Sequence, residues 1–273
     1  MVRTLWTAAS GMIAQQTNVD TIANNLANVN TTGYKTETNE FKSLLYQNLQ
    51  TKTTTANGAN KPVGAQVGLG VRNAAITSQF TQGELIASES TTAFAINGDG
   101  FFSVLGEDGE TYYTRNGNFV FGMGADDNLV LSTSDGLPVL NAQGKQIEVP
   151  DTYVVSKIQV DADGQLWYPD ANNNLQKIAG MKIGLFQFQN PSGLTKEGDA
   201  LYSVTAASGE PLNEATNANL TKSSLRQGYL EASNVQVADE MVNLIIAQRA
   251  YEMNSKAVQA ADTMMQEANE LRR

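Results

Sequence analysis

The sequence predicts an α+β protein: a discontinuous coiled-coil domain, formed by helices from both chain ends, with an inserted antiparallel β domain. Two observations predict this class. Apolar residues recur at heptad spacing near both ends of the chain. The middle carries short runs rich in Phe, Tyr, Val and Leu between Asn-Gly and Asp-Gly dipeptides, a pattern typical of β-hairpins. The 273 residues allow one large domain or two ordinary ones.

The amino-terminal segment, residues 1–45, is predicted to be helical as far as a stop near Gly33. Its apolar row is Leu5, Met12, Val19 and Leu26, with Ile22 and Val29 three residues further along. Gly33 is predicted to end the helix, because glycine tolerates the left-handed conformation of helix ends. The segment is also rich in asparagine, which is unfavourable inside a helix.

The carboxyl-terminal segment, residues 223–273, repeats this pattern over a longer stretch. Its row is Val237, Leu244, Tyr251, Val258 and Met265. Ser233 or Asn234 could cap the helix, and neither Gly nor Pro follows. A helix of about 38 residues would be roughly 57 Å long. One partner helix would leave much of this apolar face in water, so the pattern predicts packing against 1–45 and against neighbouring chains.

The middle of the chain is predicted to be a β domain over 71–222, reached through an extended connection over 46–70. Six turn dipeptides support the β prediction: Asn97-Gly98, Asp99-Gly100, Asp108-Gly109, Asn116-Gly117, Asp135-Gly136 and Asp163-Gly164. The connection is rich in Thr, Gly, Asn and Ala. Its glycines near "GAQVGLGVR" are interpreted as sites of close backbone approach, not as a phosphate-binding loop.

Composition excludes several classes of function. The net charge of −10 disfavours binding to nucleic acid or anionic lipid. The chain has no His and no Cys, which removes the commonest general base, the thiol nucleophile and the usual zinc ligands. No catalytic, cofactor or metal site is therefore predicted. Asp161 and Asp163 are interpreted as turn residues, and the isolated Trp6 and Trp167 as packing residues.

No stretch approaches eighteen continuous apolar residues, so no membrane-spanning helix is expected. The amino terminus, "MVRTLWTAASGMIAQQ", lacks the long apolar run and cleavage pattern of a secretory signal. A cleaved signal peptide is therefore not expected.

Three motifs resemble the bacterial flagellar rod and hook protein family. They are "NNLANVNTTGYK" at 24–35, "FAINGDGFF" at 94–102 with "YTRNGNF" at 113–119, and the helix that follows "SNV" and contains "QRAYE". The resemblance marks the following as family signature residues: Asn24, Asn25, Leu26, Ala27, Asn28, Gly33, Ser233, Asn234, Gln248, Arg249 and Tyr251. The length and the opening segment are most similar to members that form the distal rod.

The resemblance implies a structural subunit that polymerises into a helical drive shaft and transmits torque from motor to hook. It implies no cofactor, and as partners other copies of the chain and the proximal rod, hook, rod cap and ring proteins. It also implies export by the flagellar type III apparatus without a cleaved signal, an extracytoplasmic location in the basal body, and no direct insertion into a membrane.

The predicted assembly interface consists of the apolar helical rows, with Asn24, Asn25, Asn28 and Asn30 as hydrogen-bonding residues between subunits. Ordinary capping and turn formation is the alternative for Asn28 and Asn30. A monomer would keep its ends poorly ordered, because their apolar faces have no partner. Two other functions stay open: a proximal rod or hook subunit, and a secreted adhesive or carbohydrate-binding β protein.

Overall fold

The computed structural model describes residues 2–50, 64–124, 128–150, 153–170, 174–217 and 219–271. It divides into two compact units. We call Met1–Ala27, Glu37–Ser78 and Gln236–Arg273 the helical unit, and Asn28–Thr36 with Gln79–Val235 the β unit. Part of the predicted connection, residues 51–63, lies outside the described residues. Among the described helices, none is long and apolar enough to cross a membrane.

The helical unit contains α1 (Val2–Ala27), α2 (Val237–Glu270) and two antiparallel strand pairs. The strands are β1 (Glu37–Ser43), β2 (Tyr46–Gln50), β3 (Ala65–Gly68) and β4 (Val71–Ser78), with β1 paired to β4 and β2 to β3. The predicted connection over 46–70 thus contains a hairpin. At Gly70, φ is +119° and a side chain would meet Ser10, so the predicted close backbone approach is present there.

The β unit is built from antiparallel strands, as the turn dipeptides predict. A six-stranded sheet has the order β16 (Thr195–Gly198), β17 (Leu201–Ser203), β8 (Thr111–Thr114), β7 (Phe101–Leu105), β15 (Leu185–Gln187), β18 (Leu212–Asn213). A second sheet contains β9 (Phe119–Met123), β10 (Leu129–Thr133) and β11 (Glu148–Val149). A third contains β12 (Gln159–Val160), β13 (Gln165–Pro169) and β14 (Leu175–Lys182).

Two further strand pairs complete the β unit. They are β6 (Phe94–Asn97) with β19 (Ser224–Gln227), and β5 (Leu85–Ala87) with β20 (Tyr229–Glu231). Both pairs join strands from the start and the end of the β unit, since β19 and β20 follow β5 by more than a hundred residues. The pairing therefore brings the two ends of this unit together.

The core of the β unit is dense and aromatic. Phe102 and Phe119 are fully buried and meet edge to face with ring centroids 5.0 Å apart. A second cluster joins Phe101, Tyr113, Phe188 and Tyr202. The turn interpretation of Asp161 and Asp163 is confirmed, since the Gly164 N–H donates to the Asp161 carbonyl at 2.8 Å and φ of Gly164 is +81°.

Two sequence-based expectations, both about helix caps, are wrong in detail. The first helix ends at Ala27, six residues before Gly33, which is therefore not its cap. The second helix begins at Val237 after Gln236, whose side chain makes no capping bond, so neither Ser233 nor Asn234 is the cap. The compact units also divide the chain differently from the predicted segments, because residues 28–36 and 223–235 are built into the β unit.

Candidate assembly surface

The two helices of the helical unit pack antiparallel through small residues. Gly11 lies against the Asn254 amide, and Asn25 lies opposite Glu240, so positions that rise along α1 meet positions that fall along α2. The buried residues at this contact are mostly small: Ala8, Ala14, Ala247 and Ala261, with Ile22 the only buried large aliphatic residue that the described parts of α1 and α2 contain. Small side chains let the helix axes approach closely, but they bury little apolar area.

The predicted heptad rows lie partly inside this helix pair. Leu5, Met12, Val19 and Leu26 are half-buried on α1, as are Leu244, Val258 and Met265 on α2, whereas Val237 and Tyr251 are exposed. Val29 is half-buried in the β unit. Val19 and Tyr251 line one open groove of about 430 Å³ together with Gln16, Gln248 and Glu252. Whether these rows contact other copies stays a prediction.

A second apolar row, which the sequence reasoning missed, lies exposed on the same helices. We call it the exposed stripe; it consists of Trp6 and Ile13 on α1 and Met241, Val242, Ile245, Ile246 and Met253 on α2. Trp6 is 72% exposed and Ile246 is 61% exposed. The expectation that Trp6 packs is therefore wrong for this chain by itself. The i, i+4 spacings from Met241 to Ile245 and from Val242 to Ile246 were the available signal.

The amides of the asparagine-rich segment make bonds inside the chain. The side-chain oxygen of Asn25 accepts the Glu37 N–H at 2.9 Å, and its nitrogen donates to the Glu37 carbonyl at 2.8 Å. Asn24 donates to the Glu37 carboxylate at 3.2 Å. Asn25, which is fully buried, thus attaches the start of β1 to the end of α1. This is an intrachain role, different from the predicted bonding between subunits.

Asn25 also approaches a buried carboxylate on α2. Its side-chain nitrogen lies 3.4 Å from Oε1 of Glu240. Burial raises the pKa of Glu240 above its usual value, and the neighbouring Asp239 raises it further, while the bond from Asn25 acts in the opposite direction. Burial in the helix pair therefore favours the neutral, protonated form of the Glu240 carboxyl over the charged form.

The remaining signature residues, on α2 and around the turn that follows α1, are mostly exposed. Arg249 forms an exposed ion pair with Glu252 at 2.9 Å, and Gln248 and Ala27 face solvent. The Asn28 side-chain oxygen accepts the Thr31 hydroxyl at 3.1 Å, as the turn alternative predicted. Ser233 Oγ accepts the Val235 N–H at 3.3 Å.

In the β unit, Gly33 permits a close passage of two backbones. Its φ is +71°, and a Cβ there would lie 2.7 Å from the Asn116 nitrogen and 2.8 Å from the Arg115 carbonyl carbon. Its N–H donates to the Glu231 carbonyl at 2.8 Å. A side chain at this position would force the backbone of the 113–119 motif away, which explains why the signature has glycine here.

A buried charge cluster follows directly after this passage. Lys35 Nζ lies 2.6 Å from Oε1 of Glu231 and donates to the Thr81 carbonyl at 2.8 Å. Oε1 also accepts the Gly83 N–H at 2.9 Å, and Arg115 lies 3.4 Å from Oε2. Burial lowers the pKa of both Lys35 and Arg115, and Glu231 partly offsets this by raising both. The cluster fastens the signature segment to β20.

Sequence reasoning did not find this cluster. Lys35 and Glu231 stand 196 positions apart, and nothing near either residue indicates its partner.

Three family models match separate parts of the chain. "Flagella basal body rod protein" matches residues 5–35, "Flagellar hook protein FlgE/F/G D1 domain" matches 95–168, and "Flagellar basal body rod FlgEFG protein C-terminal" matches 226–271. Their positions coincide with the three motifs quoted from the sequence.

Full-length relatives carry related names. "Flagellar basal-body rod protein FlgG" of Borreliella burgdorferi is 44% identical over 100% of both chains. "Flagellar hook-basal body complex protein FlhP" of Bacillus subtilis is 31% identical, also over 100% of both. A crystal structure of Helicobacter pylori flagellar hook protein FlgE2 aligns with TM-score 0.24 and 13% identity over 71% of this chain and 56% of that one. An overlap this weak carries no argument about the fold.

Proposed function

The chain belongs to the flagellar basal-body rod protein family, and we propose that it is the subunit of the distal rod, polymerising through its terminal helices into a helical tube. The observation that carries the proposal is the exposed stripe on α1 and α2. Because the members of this family are structural rod proteins, nothing supports an enzymatic role or the glycan-binding alternative.

The stripe supports polymerisation because its apolar side chains stay largely exposed within the described part of the chain. Five large apolar side chains of α2 are 52–65% exposed, so each would gain roughly half of the about 1.5–3 kcal/mol that full burial provides. A soluble monomer rarely keeps so long an apolar face exposed. Head-to-tail contacts with a rotation that does not close produce a helical filament, in which each copy covers the stripe of the next.

The difference in helix length favours a neighbouring copy over a closed pair. At about 1.5 Å per residue, the 34 residues of α2 span roughly 51 Å and the 26 residues of α1 roughly 39 Å. The end of α2 therefore has no α1 residues beside it, and Met264 and Leu271 are exposed there. In a tube, these residues would contact the helices of an adjacent subunit, extending a coiled coil along the axis.

Torque transmission follows from many such contacts acting together. If each subunit buries on the order of 2,000 Å² in obligate interfaces, dissociation is slow and the tube is stiff. We further propose that the chain is exported unfolded by the flagellar type III apparatus without a cleaved signal. It would then assemble outside the cytoplasmic membrane, next to the proximal rod, hook, rod cap and ring proteins.

Ile246→Glu tests the proposal directly. This change puts a charge into the stripe at an exposed helical position, where glutamate is a good helix former. We expect the wild-type chain to form filaments at high concentration and the variant to stay monomeric with unchanged helix content, as measured by sedimentation, electron microscopy and circular dichroism. Deletion of 1–30 or 235–273 should also abolish filaments.

The matched control is Met123→Glu, because Met123 is 73% exposed but lies at the end of β9 in the β unit. It should assemble as the wild type does. Filaments of normal yield from the Ile246→Glu chain would refute assembly through the stripe.

A proximal rod or hook subunit remains the second candidate, because the chain is also 31% identical to a hook-basal body complex protein. The 44% identity to a rod protein favours the rod. Electron microscopy of basal bodies from cells lacking this chain separates the two: a shortened rod supports the distal rod, and an intact rod with altered hook geometry supports the hook.

A further inference from the structure

The polypeptide passes between the two units four times, at 27–28, 36–37, 78–79 and 235–236. Any force carried by the chain from one unit to the other must use these four connections. Three of them have their β-unit ends at Thr36, Gln79 and Val235, which are far apart in sequence. Contacts within the β unit that hold these three ends together therefore bear on how force reaches that unit.

The side chain of Asn234 bonds to two of these ends, Thr36 and Gln79, and its backbone precedes the third, Val235. Its oxygen accepts the Thr36 N–H and the Thr36 hydroxyl, both at 2.7 Å. Its nitrogen donates to the Gln79 carbonyl at 2.9 Å, with the Thr81 hydroxyl at 2.8 Å and the Thr81 carbonyl at 3.2 Å. Asn234 directly precedes Val235, the β-unit end of the third connection.

We infer that Asn234 is a clamp that holds the β-unit ends of three chain connections in one hydrogen-bonded cluster. The inference goes beyond assembly of the rod, because it concerns how load enters the β unit of a single subunit. Backbone bonds support the same cluster: the Gln79 N–H donates to the Thr36 carbonyl at 2.8 Å. Glu231, three residues earlier, adds the Lys35 and Gly83 bonds on the same segment.

Only asparagine has the geometry for this clamp. Its amide presents two acceptor lone pairs on one side and two N–H donors on the other. Aspartate at 234 would place a carboxylate against the Gln79 and Thr81 carbonyl oxygens and would lose both donors. Glutamine would carry the amide one methylene too far, and serine would not reach both sides at once.

The test is hydrogen exchange of the purified full-length chain at a concentration where it is monomeric, so the result does not depend on polymerisation. In Asn234→Ala, which removes both the acceptor and the donors, we expect the Thr36 and Gln79 amides to exchange at least about tenfold faster than in the wild type. The amides of Gln143 and Lys145, in a distant turn, should keep their protection.

Asn141→Ala is the matched control. Asn141 is another hydrogen-bonding hub: it accepts the Gln143 and Lys145 N–H groups, both at 2.9 Å, and donates to the Gly180 carbonyl at 3.2 Å. Its alanine variant should speed exchange at Gln143 and Lys145 and leave Thr36 and Gln79 unchanged. A merely destabilised β unit would instead show the same exchange pattern in both variants.

A milder variant keeps the inference testable if Asn234→Ala does not fold. Thr36→Val removes one hydroxyl donor and keeps the side-chain shape and the backbone N–H. It should raise exchange at Gln79 by about two- to fivefold. Unchanged protection of Thr36 and Gln79 in the folded Asn234 variant, or of Gln79 in Thr36→Val, would overturn the clamp.

Discussion

The β unit buries its large side chains, whereas the helical unit leaves many of its own in solvent. Phe101, Phe102, Phe119 and Ile96 are at most 1% exposed. The helices of the helical unit instead bury mainly alanines, and Trp6 and the rest of the exposed stripe face solvent. Since apolar burial is the main favourable contribution to folding, the β unit has a core sufficient for itself and the helical unit does not. The difference supports the proposal that further copies of the chain cover the helical unit.

The two units also treat charge differently. In the β unit, Lys35, Arg115 and a backbone N–H surround the Glu231 carboxylate, so the charges of this cluster are paired. In the helical unit, Glu240 has an amide as its buried neighbour and Asp239 beside it. An incompletely compensated carboxylate in a thin interface fits a unit whose stability depends on assembly.

The largest expected effect is the difference in stability between truncating a buried aromatic side chain in the β unit and an exposed one in the helical unit. Phe102→Ala should cost about 3–5 kcal/mol of unfolding free energy, because it removes a fully buried ring from the β core. Trp6→Ala removes a larger ring but should cost less than about 0.5 kcal/mol in the monomer. Denaturant unfolding at low concentration measures both values.

Trp6→Ala should nevertheless weaken filament formation, which sedimentation at high concentration records. A Trp6→Ala cost comparable to that of Phe102→Ala in the monomer would break the comparison between the two units.

A smaller effect is expected from alkaline pH on the β unit. Burial raises the pKa of Tyr113 to about 12 from an ordinary value of 10.0. Between these values the unfolded chain loses the phenol proton while the folded chain keeps it, so stability falls as pH rises from 10 to 12. The loss reaches at most about 2.7 kcal/mol. Tyr113→Phe should flatten this decline in unfolding experiments, whereas the solvent-facing Tyr229→Phe should preserve it.

The smallest effect is expected at Glu240. Its pKa is raised in the folded state, so the folded helix pair binds more protons and is most stable below the ordinary carboxyl value of 4.5. Stability is then lost as pH rises through the raised pKa. Glu240→Gln should stabilise the helix pair at neutral pH by less than about 1 kcal/mol and remove this pH dependence.

Hydrogen exchange of α2 amides measures the Glu240 effect. The exposed Glu252→Gln is its control, and equal responses from the two variants would contradict a special role for the buried carboxylate.

The sequence predicts apolar helical faces near both chain ends, but it does not predict which side chains of these helices are exposed. Heptad spacing correctly located helices near both chain ends, since periodicity reflects a face that must be covered. It could not tell which row faces the partner helix within the chain and which faces outward. Ile22 and Ile13 have similar side chains, yet one is buried and the other is exposed. Helix rotation, set by small residues such as Gly11 and Ala247, decided between them.

The α+β class, the antiparallel hairpins and the family were predictable from the sequence, because helical periods, turn dipeptides and motifs are local properties of the chain. Only the tertiary structure decided that the segment "NTTGYK" belongs to the β unit and that Asn234 joins three chain connections instead of capping a helix. The physical reason is distance along the chain: Lys35 finds its carboxylate at Glu231, and Thr36 finds its amide at Asn234. Pairings across nearly two hundred residues leave no periodic or local trace in the sequence.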